Sequence, residues 1–451
     1  MKKFPSLTSG PVGSQLVRMT VPMLMGTLSI MIFHLVDTFF LGRYSSEALT
    51  AVTFTFPVMM TLGSLALGLG VGVSAVVANA IGEGNQRQVQ RLTTDSLFLS
   101  VLMVTACAGV GLLTMNPLFR VLGAEGEILH LVRQYMEVWY WSVGMVVIPM
   151  VGNGAIRATG DTRTPGLVMM VAAITNVVLD PILIFGWGPI PEMGVRGAAL
   201  ATAGARTMTL MASIYVLVFR EKMVSRHGMT PAAVIRSWRR VLHVGIPAAG
   251  TRMVVPIAMG VITRLVATYG PAAVAAFGVG SRVGMFVFSV IMSLAAALGP
   301  FIGQNLGAGL LDRVRRATWL SCGFGFIYGI LIWLMVASLA RPIALLFNKD
   351  PEMVSAAVNY FRIVPIGAGF SAVLVLAGSV MNAMLKPGTA AGLTVLQIVI
   401  LYLPLSFLGS RVLGLEGIFW ASAVTNILAG IVAVVILRHR LKTLVPTTNE
   451  T

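Results

Sequence analysis

The sequence predicts an all-α integral membrane protein with twelve transmembrane helices in two six-helix lobes. Of its 451 residues, 57% are hydrophobic and only 11% are charged, whereas soluble chains carry roughly a quarter charged residues. Apolar stretches of about 20 residues or more recur along the chain, and each is long enough to cross the ~30 Å hydrocarbon core as a helix. The third observation is an internal repeat, which divides these stretches into two sets of six.

The apolar stretches define the twelve spans. Backbone polar groups find no partner in lipid, so a spanning segment must be a helix or part of a closed barrel. These stretches are too long and too uniformly apolar to be barrel strands. The first of them lacks a small-residue cleavage site, so we expect it to be retained. The predicted spans are residues 17–41, 49–81, 93–115, 128–155, 165–187, 195–219, 242–269, 273–304, 317–340, 353–383, 389–410 and 415–437.

Basic residues set the orientation. The net charge is +16, and most Lys and Arg residues fall on the side of the membrane that carries both termini. By the positive-inside rule, we expect both termini to be cytoplasmic in a bacterial inner membrane. The basic residues lie at helix ends rather than on one stripe or tail, which indicates contact with membrane lipids and argues against nucleic acid as a partner. We expect a monomer.

The two halves of the chain resemble each other. A shift of 225 residues aligns Pro22 with Pro247 and Tyr135 with Tyr360. Six helices return the chain to its starting side, so the halves share one orientation and are related by a pseudo-twofold axis along the membrane normal. Further matches are Tyr44 with Tyr269, Arg91 with Arg316 and, at a slightly smaller shift, Gly194 with Gly414.

The repeat predicts the domains and favours a class of function. We predict an N-terminal lobe at 1–219, a cytoplasmic linker at 220–241 and a C-terminal lobe with a short cytoplasmic tail at 242–451. Two lobes around a cleft suit alternating access by a transporter. No His, Cys and carboxylate residues have the spacing of a metal catalyst, and no phosphate-binding loop is present, so an enzyme is not expected. The duplication also argues against a channel or a receptor.

Carboxylates inside the spans are the main candidates for chemistry, because a charge in hydrocarbon is costly and is retained mainly for function. Asp37 and Asp180 have no obvious route to water, whereas the other carboxylates, Asp95 among them, lie at or near span ends. Both candidates belong to the first half, which places the ion chemistry in one lobe. They either carry a proton or bind Na⁺; the alternative is a structural role in hydrogen bonding between helices.

The neighbours of these acids extend the candidate site. Asn176 lies one turn before Asp180 and shares its helix face, and Thr202 in the next span adds a hydroxyl. Na⁺ would bind at Asp37, Asn176 and Asp180; we expect no other metal and no cofactor. His34 shares a face with Asp37 and either relays a proton or packs between helices.

Three arginines and one proline are the remaining candidate site residues. Arg206, Arg252 and Arg282 fall near mid-depth in their predicted spans, where they either line a water-filled cavity or bind helix-end carbonyls. Pro22 lies about four turns before Asp37 on the same helix and can bend it. Protonation of Asp37 can therefore be coupled to that bend.

Six short stretches of the sequence match motifs of a known family. They begin at Val36, Ala80, Arg157, Asn176, Gly194 and Gly303 and read VDTFFLG, AIGEGN, RATGDTRTP, NVVLDP, GVRGAALAT and GQNLGAG. With them the chain resembles the multidrug and toxic compound extrusion (MATE) family over essentially its whole length. The resemblance implies the twelve-helix, two-lobed fold and export of cationic amphipathic drugs in exchange for inward H⁺ or Na⁺. A bend of the first helix at the proline matching Pro22 is also a property of the branch that it resembles.

The resemblance is to the DinF-like bacterial branch. Members of the NorM-like branch carry carboxylates in helices 7 and 10, where this chain has Val255 and Phe370. In the DinF-like branch an Asp of helix 1 and an Asn and an Asp of helix 5 form the cation site. The matching positions here are Asp37, Asn176 and Asp180.

An alternative function is export or flipping of a lipid-linked or anionic metabolite, as in the related flippases for polyprenyl-linked sugars. The three mid-depth arginines favour it. Twelve spans rather than fourteen, together with the two buried aspartates, argue against it.

Overall fold

The computed structural model describes residues 7–225 and 230–444. In these ranges the chain is helical, and its extended pairing is limited to an isolated bridge between Trp187 and Ile190. Part of the predicted linker therefore lies outside the described residues.

The first half contains six long helices. Each follows the one before it through a short connection, and the sixth ends in a π-helical turn, Val216–Arg220. The helices are α1 (Val12–Tyr44), α2 (Ser46–Gly82), α3 (Gln86–Val121), α4 (Gly126–Ala158), α5 (Arg163–Phe185) and α6 (Gly194–Tyr215).

The second half repeats this order with more interruptions. A 3₁₀ turn, Val364–Gly367, connects α11 to α12, and a π-helical turn, Leu396–Tyr402, connects α13 to α14. The helices are α7 (Pro231–Ala267), α8 (Pro271–Gly307), α9 (Leu311–Ser338), α10 (Ala340–Phe347), α11 (Pro351–Ile363), α12 (Ala368–Ala383), α13 (Pro387–Val395) and α14 (Leu403–Lys442).

The described helices confirm the predicted fold class. Ten of the helical segments are long and apolar enough to span a membrane. The other two of the twelve spans come from α4 and from a break in the last segment, Pro387–Lys442. The break is at Gly414, whose φ of 62° and ψ of −139° are not helical and suit a residue without a Cβ. The described chain is therefore an all-α, twelve-helix membrane protein.

Contacts within each half reproduce the internal repeat. In the first half, Tyr44 packs against Gly194, whose φ is +53°. In the second half, Tyr269 packs against Gly414, whose φ is +62°. These are the residue pairs that the sequence repeat aligns, so the two halves share local packing as well as helix order.

The chain forms two compact units whose boundaries lie inside helices. One unit contains Val21–Ala249, and the other contains Leu7–Thr20 with the chain from Gly250 onwards. Consequently α1 and α7 each begin in one unit and end in the other. The predicted lobes, by contrast, keep all of α1 within the first lobe and divide α7 between the linker and the second lobe.

The start of α1 belongs to the core of the second unit. Leu16 and Met19 are buried in a hydrophobic cluster with residues of α8, α9, α12 and α14. Arg313 of α9 donates from Nη2 to the main-chain oxygen of Leu7 at 3.0 Å and from Nη1 to that of Gly10 at 2.7 Å. Apolar burial and these hydrogen bonds hold the segment in place.

The start of α7 has the corresponding position in the first unit. Trp238 donates from Nε1 to the main-chain oxygen of Asp95 on α3 at 2.8 Å. The internal repeat aligns Trp238 with Gly13 and Asp95 with Leu320, and Gly13 likewise packs against Leu320. Because α7 begins at Pro231, it also takes up the second half of the segment predicted to be a linker at 220–241.

Candidate functional site

The centre of the candidate site is formed by α5 and α6. Asp180 is 0% exposed and Asn176 is 1% exposed, and the two lie one helical turn apart on α5. With its nitrogen towards Asp180, the Asn176 amide donates to Asp180 Oδ2 at 2.9 Å and accepts from the Thr202 main-chain nitrogen at 3.2 Å. The reverse orientation leaves only a 3.4 Å contact from Asn176 Nδ2 to Thr202 Oγ1. The first orientation satisfies both ends of the amide, so we adopt it.

Asp37 approaches this centre from α1. Its side chain is half-buried, and its charge interacts with that of Asp180. Tyr135 of α4 is 3% exposed and lies within electrostatic range of Asp37, Asp180 and Arg206. The structure therefore brings together the two acids predicted for the site and adds a buried phenol between helices.

Arg206 lies on the same side of α6 as Thr202, one turn further on. Its guanidinium is 5.9 Å from the centre of the Phe33 ring, and its charge also acts on His34. Among the described residues Arg206 forms no ion pair. The site therefore contains one cation and two acids.

Arg206 also lines a narrow cleft in the first unit. The free space inside the cleft is only about 10 Å³, and its polar lining comes from Asn176, Thr202 and Arg206. Phe33 and Met169 are among the apolar residues that line the rest. Pockets for small organic molecules usually measure about 300–1,000 Å³, so the cleft in this conformation has room for about one water molecule and not for such a molecule.

Pro22 lies where α1 packs closely against α5. The main chain at Pro22 faces Gly166 so closely that no Cβ would fit there. A Cβ added to Gly26 would lie 2.9 Å from Gly166 Cα. The helix is continuous through Pro22, from Val12 to Tyr44. Any movement of α1 at Pro22 therefore changes its packing against the helix that carries Asp180.

The other two predicted arginines belong to the second unit. Arg252 on α7 and Arg282 on α8 are both exposed on that unit. His34 is likewise exposed on α1, on the surface of the first unit. Arg206 thus belongs to the same compact unit as the two acids, whereas Arg252 and Arg282 belong to the other unit.

Asp95 contradicts the prediction that it lies at a span end with access to water. It is 1% exposed, and its Oδ2 accepts no hydrogen bond but lies 3.7 Å from Arg91 Nε in an ion pair. Trp238 of α7 covers this part of α3. The prediction was wrong because it counted depth along the helix and took no account of the covering helix.

Two of the three donors predicted for Na⁺ are hydrogen-bonded to each other in this structure. The Asn176 nitrogen points to the Asp180 carboxylate, and its oxygen points to a main-chain N–H. Within residues 7–225 and 230–444, no three His, Cys, Asp or Glu side chains are grouped as metal ligands. Na⁺ requires several converging oxygens, so its binding here would need the Asn176 amide to turn its oxygen towards Asp180.

The chain matches a known protein family twice. The MatE family model matches residues 22–182 and again residues 247–408. These ranges correspond to the two halves of the internal repeat.

Individual relatives extend over most or all of the chain. An FAD transporter of Shewanella oneidensis is 36% identical over 451 residues, which cover 100% of both proteins. The probable multidrug resistance protein NorM of Thermotoga maritima is 29% identical over 83% of this chain and 80% of its own length. The Vibrio cholerae MATE transporter VcmN, in its bent form, has a TM-score of 0.91 and 31% identity over 96% of this chain and 97% of its own. The chain therefore belongs to the MATE family, which is a family of transporters and not of enzymes.

Proposed function

We propose that this chain is a secondary antiporter, which exports small organic molecules by alternating access in exchange for an inward-moving cation. The observation that carries the proposal is the pair Asn176–Asp180, buried in an apolar spanning helix and within electrostatic range of Asp37. Buried carboxylates in a membrane segment are costly and are typical of ion pathways. We place the protein in the bacterial inner membrane as a monomer, with both termini cytoplasmic.

For the coupling ion we favour H⁺ over Na⁺. The amide of Asn176 donates to Asp180, which leaves the carboxylate free to gain and lose a proton at its other oxygen. Asp37, Asp180, Asn176 and Thr202 form the coupling site in this proposal, and His34 is a relay at its edge.

For the substrate, cationic amphipathic drugs fit the coupling chemistry best. Two ionised acids and one arginine give the site a net negative charge until protons bind. A cationic substrate and a proton then compete for the same negative charge, which is what exchange in opposite directions requires. Relatives named as multidrug resistance proteins agree with this class.

A second candidate substrate is an anionic molecule of the FAD type. It is favoured by the full-length similarity to an FAD transporter and by Arg206, which stands over an aromatic ring without a carboxylate ion pair among the described residues. Guanidinium groups bind phosphate through two parallel hydrogen bonds and stack on flat rings. An inside-negative membrane potential itself drives an anion outward, by about 2.3 kcal/mol per charge per 100 mV.

Transport by the purified protein in liposomes tests these proposals. A lipophilic cationic dye and FAD are offered in separate experiments, under separately imposed H⁺, Na⁺ and electrical gradients. We expect an H⁺ gradient alone to drive movement of the dye. Movement of FAD driven by the electrical gradient, with no movement of the dye, selects the second candidate. If no gradient drives either compound, the proposal of ion-coupled export is wrong.

A further inference from the structure

The first four turns of α7 carry a basic face that the proposed transport mechanism does not use. At 100° per residue, the side chains that are exposed between Ile235 and Ile246 lie on one arc of the helix, which is about 140° wide. Ile235 and Ile246 mark one edge of this arc, and each is 61% exposed. The basic side chains of the arc, all of them exposed, are Arg236, Arg239, Arg240 and His243.

The opposite face of the same turns is anchored to the protein. Ser237, Val241 and Val244 are buried, and Val241 packs so closely against Gly72 of α2 that a Cβ on Gly72 would not fit. The indole of Trp238 is fixed to the Asp95 main-chain oxygen. The basic arc is therefore held in a defined position on the first unit.

The basic arc has little internal compensation of its charge. Residues 231–249 contain no Asp or Glu, and no ion pair involves the three arginines among the described residues. By contrast, Arg220 at the end of the first half contacts Asp161 and Glu221. The three arginines of the arc thus present their charge outward.

The length of α7 places this arc at the membrane surface. Its 37 residues extend about 55 Å at ~1.5 Å per residue, whereas the hydrocarbon core is ~30 Å thick. About half of the helix therefore lies outside the hydrocarbon. In the proposed orientation that half is the N-terminal one, which passes through the headgroup layer of the cytoplasmic leaflet.

We propose that the exposed arc of α7, centred on Arg236, Arg239 and Arg240, is a binding site for the headgroups of anionic phospholipids. The arginines bind lipid phosphates, and Ile246, which lies nearer the hydrocarbon along the helix, packs against the adjoining acyl chains. Anionic lipid attracts each nearby basic residue, and together these contributions produce selectivity over zwitterionic lipid. Bound lipid would hold the start of α7 on the first unit, since the same turns contact α2 and α3.

Lipid binding to the full-length protein tests the proposal. Retention of phosphatidylglycerol and of phosphatidylcholine is measured by native mass spectrometry after reconstitution in equimolar mixtures of the two. We expect wild type to retain phosphatidylglycerol preferentially and Arg236→Gln/Arg239→Gln/Arg240→Gln to lose at least about tenfold of that preference. The matching triple substitution to Lys should keep most of it, because the charge is retained.

A matched control removes three charges elsewhere. Arg438→Gln/Arg440→Gln/Lys442→Gln, at the end of α14, should retain the wild-type preference within about twofold. Equal loss in this control means that total charge, not the α7 arc, attracts the lipid, and it overturns the proposal. So does an unchanged preference in the α7 triple variant. If water-soluble glycerol phosphate competes as well as phosphatidylglycerol, the arc binds a soluble anion and the lipid assignment is wrong.

Discussion

Asn176 donates from its amide nitrogen to Asp180 Oδ2 at 2.9 Å, and neither side chain is more than 1% exposed. A neutral donor can remain in place whether the carboxylate is charged or protonated on its other oxygen. An arginine in the same position would hold the carboxylate permanently charged. The pair is thus suited to repeated loading and release of a proton within an apolar helix.

Removing either acid should abolish coupling while leaving the fold intact. Asp37→Asn and Asp180→Asn preserve side-chain shape, so expression and melting temperature should stay near wild type. Dye transport driven by an H⁺ gradient in proteoliposomes should fall to background. Glu137→Gln is the control, because Glu137 is 53% exposed and belongs to a surface ion pair with Arg133. Transport by Asp180→Asn at the wild-type rate would show that the coupling site lies elsewhere.

The dependence of binding on pH should distinguish the two substrate classes. A cation and a proton compete for Asp37 and Asp180, so dye affinity should fall on acidification, by about 5- to 150-fold for a coupling of 1–3 kcal/mol. Asp37→Asn should flatten this dependence. For an anion bound by Arg206 the sign is opposite, because protonation removes the competing negative charge. Equilibrium binding of the dye and of FAD measures both trends. Dye affinity that rises on acidification would exclude the cationic class.

Replacing Arg206 should affect the two substrate classes in opposite directions. Arg206→Gln removes a positive charge from the cleft lined by Asn176 and Thr202, so a cationic dye should bind as tightly as before or more tightly. FAD affinity, if FAD binds, should fall by about ten- to a hundredfold, because a charge-assisted hydrogen bond is lost. Arg264→Gln is the control on the exposed surface of α7. A large loss of dye affinity in Arg206→Gln alone would mean that the arginine positions the site instead.

A side chain at Gly166 should force α1 away from α5. In Gly166→Ala the new methyl meets the main chain of Pro22, which cannot yield without moving α1. Overpacking of this kind typically costs about 1–3 kcal/mol, so for a chain of this length the melting temperature should fall by about 1–3 °C. Gly109→Ala on α3 is the control, because nothing lies within 4 Å of its added Cβ. Equal melting temperatures for both variants would contradict the close contact.

Labelling should establish the orientation. Ala232→Cys on α7 and Glu192→Cys before α6 are both exposed positions, introduced after replacement of Cys107 and Cys322. In intact cells a membrane-impermeant thiol reagent should react at position 192 and not at position 232, and permeabilised cells should react at both. The reverse pattern would invert the topology and the direction of transport.

The repeat and the acids could be predicted from the sequence because their signals are local. Gly194 and Gly414 align by sequence alone, and both have positive φ against a tyrosine. Asp180 is conspicuous because a carboxylate is rare in an apolar stretch. Tyr135 was missed as a site residue, since an isolated tyrosine in a spanning helix does not show which way it faces. Its match with Tyr360 was the available signal.

Other features depend on contacts between distant parts of the chain. The nitrogen of Leu7 donates to Gln304 Oε1, 297 positions away, and Trp238 reaches Asp95 across 143 positions. No periodicity links such residues. Hydropathy therefore did not predict that the first turns of α1 and α7 each belong to the unit formed by the other half, and it did not predict the burial of Asp95. Charge and length show where a helix can span the membrane. They do not show which hydrophobic core the ends of that helix pack against.

The exchanged starts of α1 and α7 make the duplicated halves unequal during biosynthesis. The first compact unit is complete once the ribosome has made Ala249, because its last segment directly follows the rest of it. The second unit includes Leu7–Thr20, which is synthesised before all of its other parts. This segment must therefore wait for the chain beyond Gly250 before it can pack in its own core. Each half expressed alone therefore lacks one segment of its own compact unit. It also carries an apolar segment, the start of α1 or of α7, that belongs to the other unit. Co-expression of the two halves should restore a stable protein only when each retains its own first turns to donate to the other.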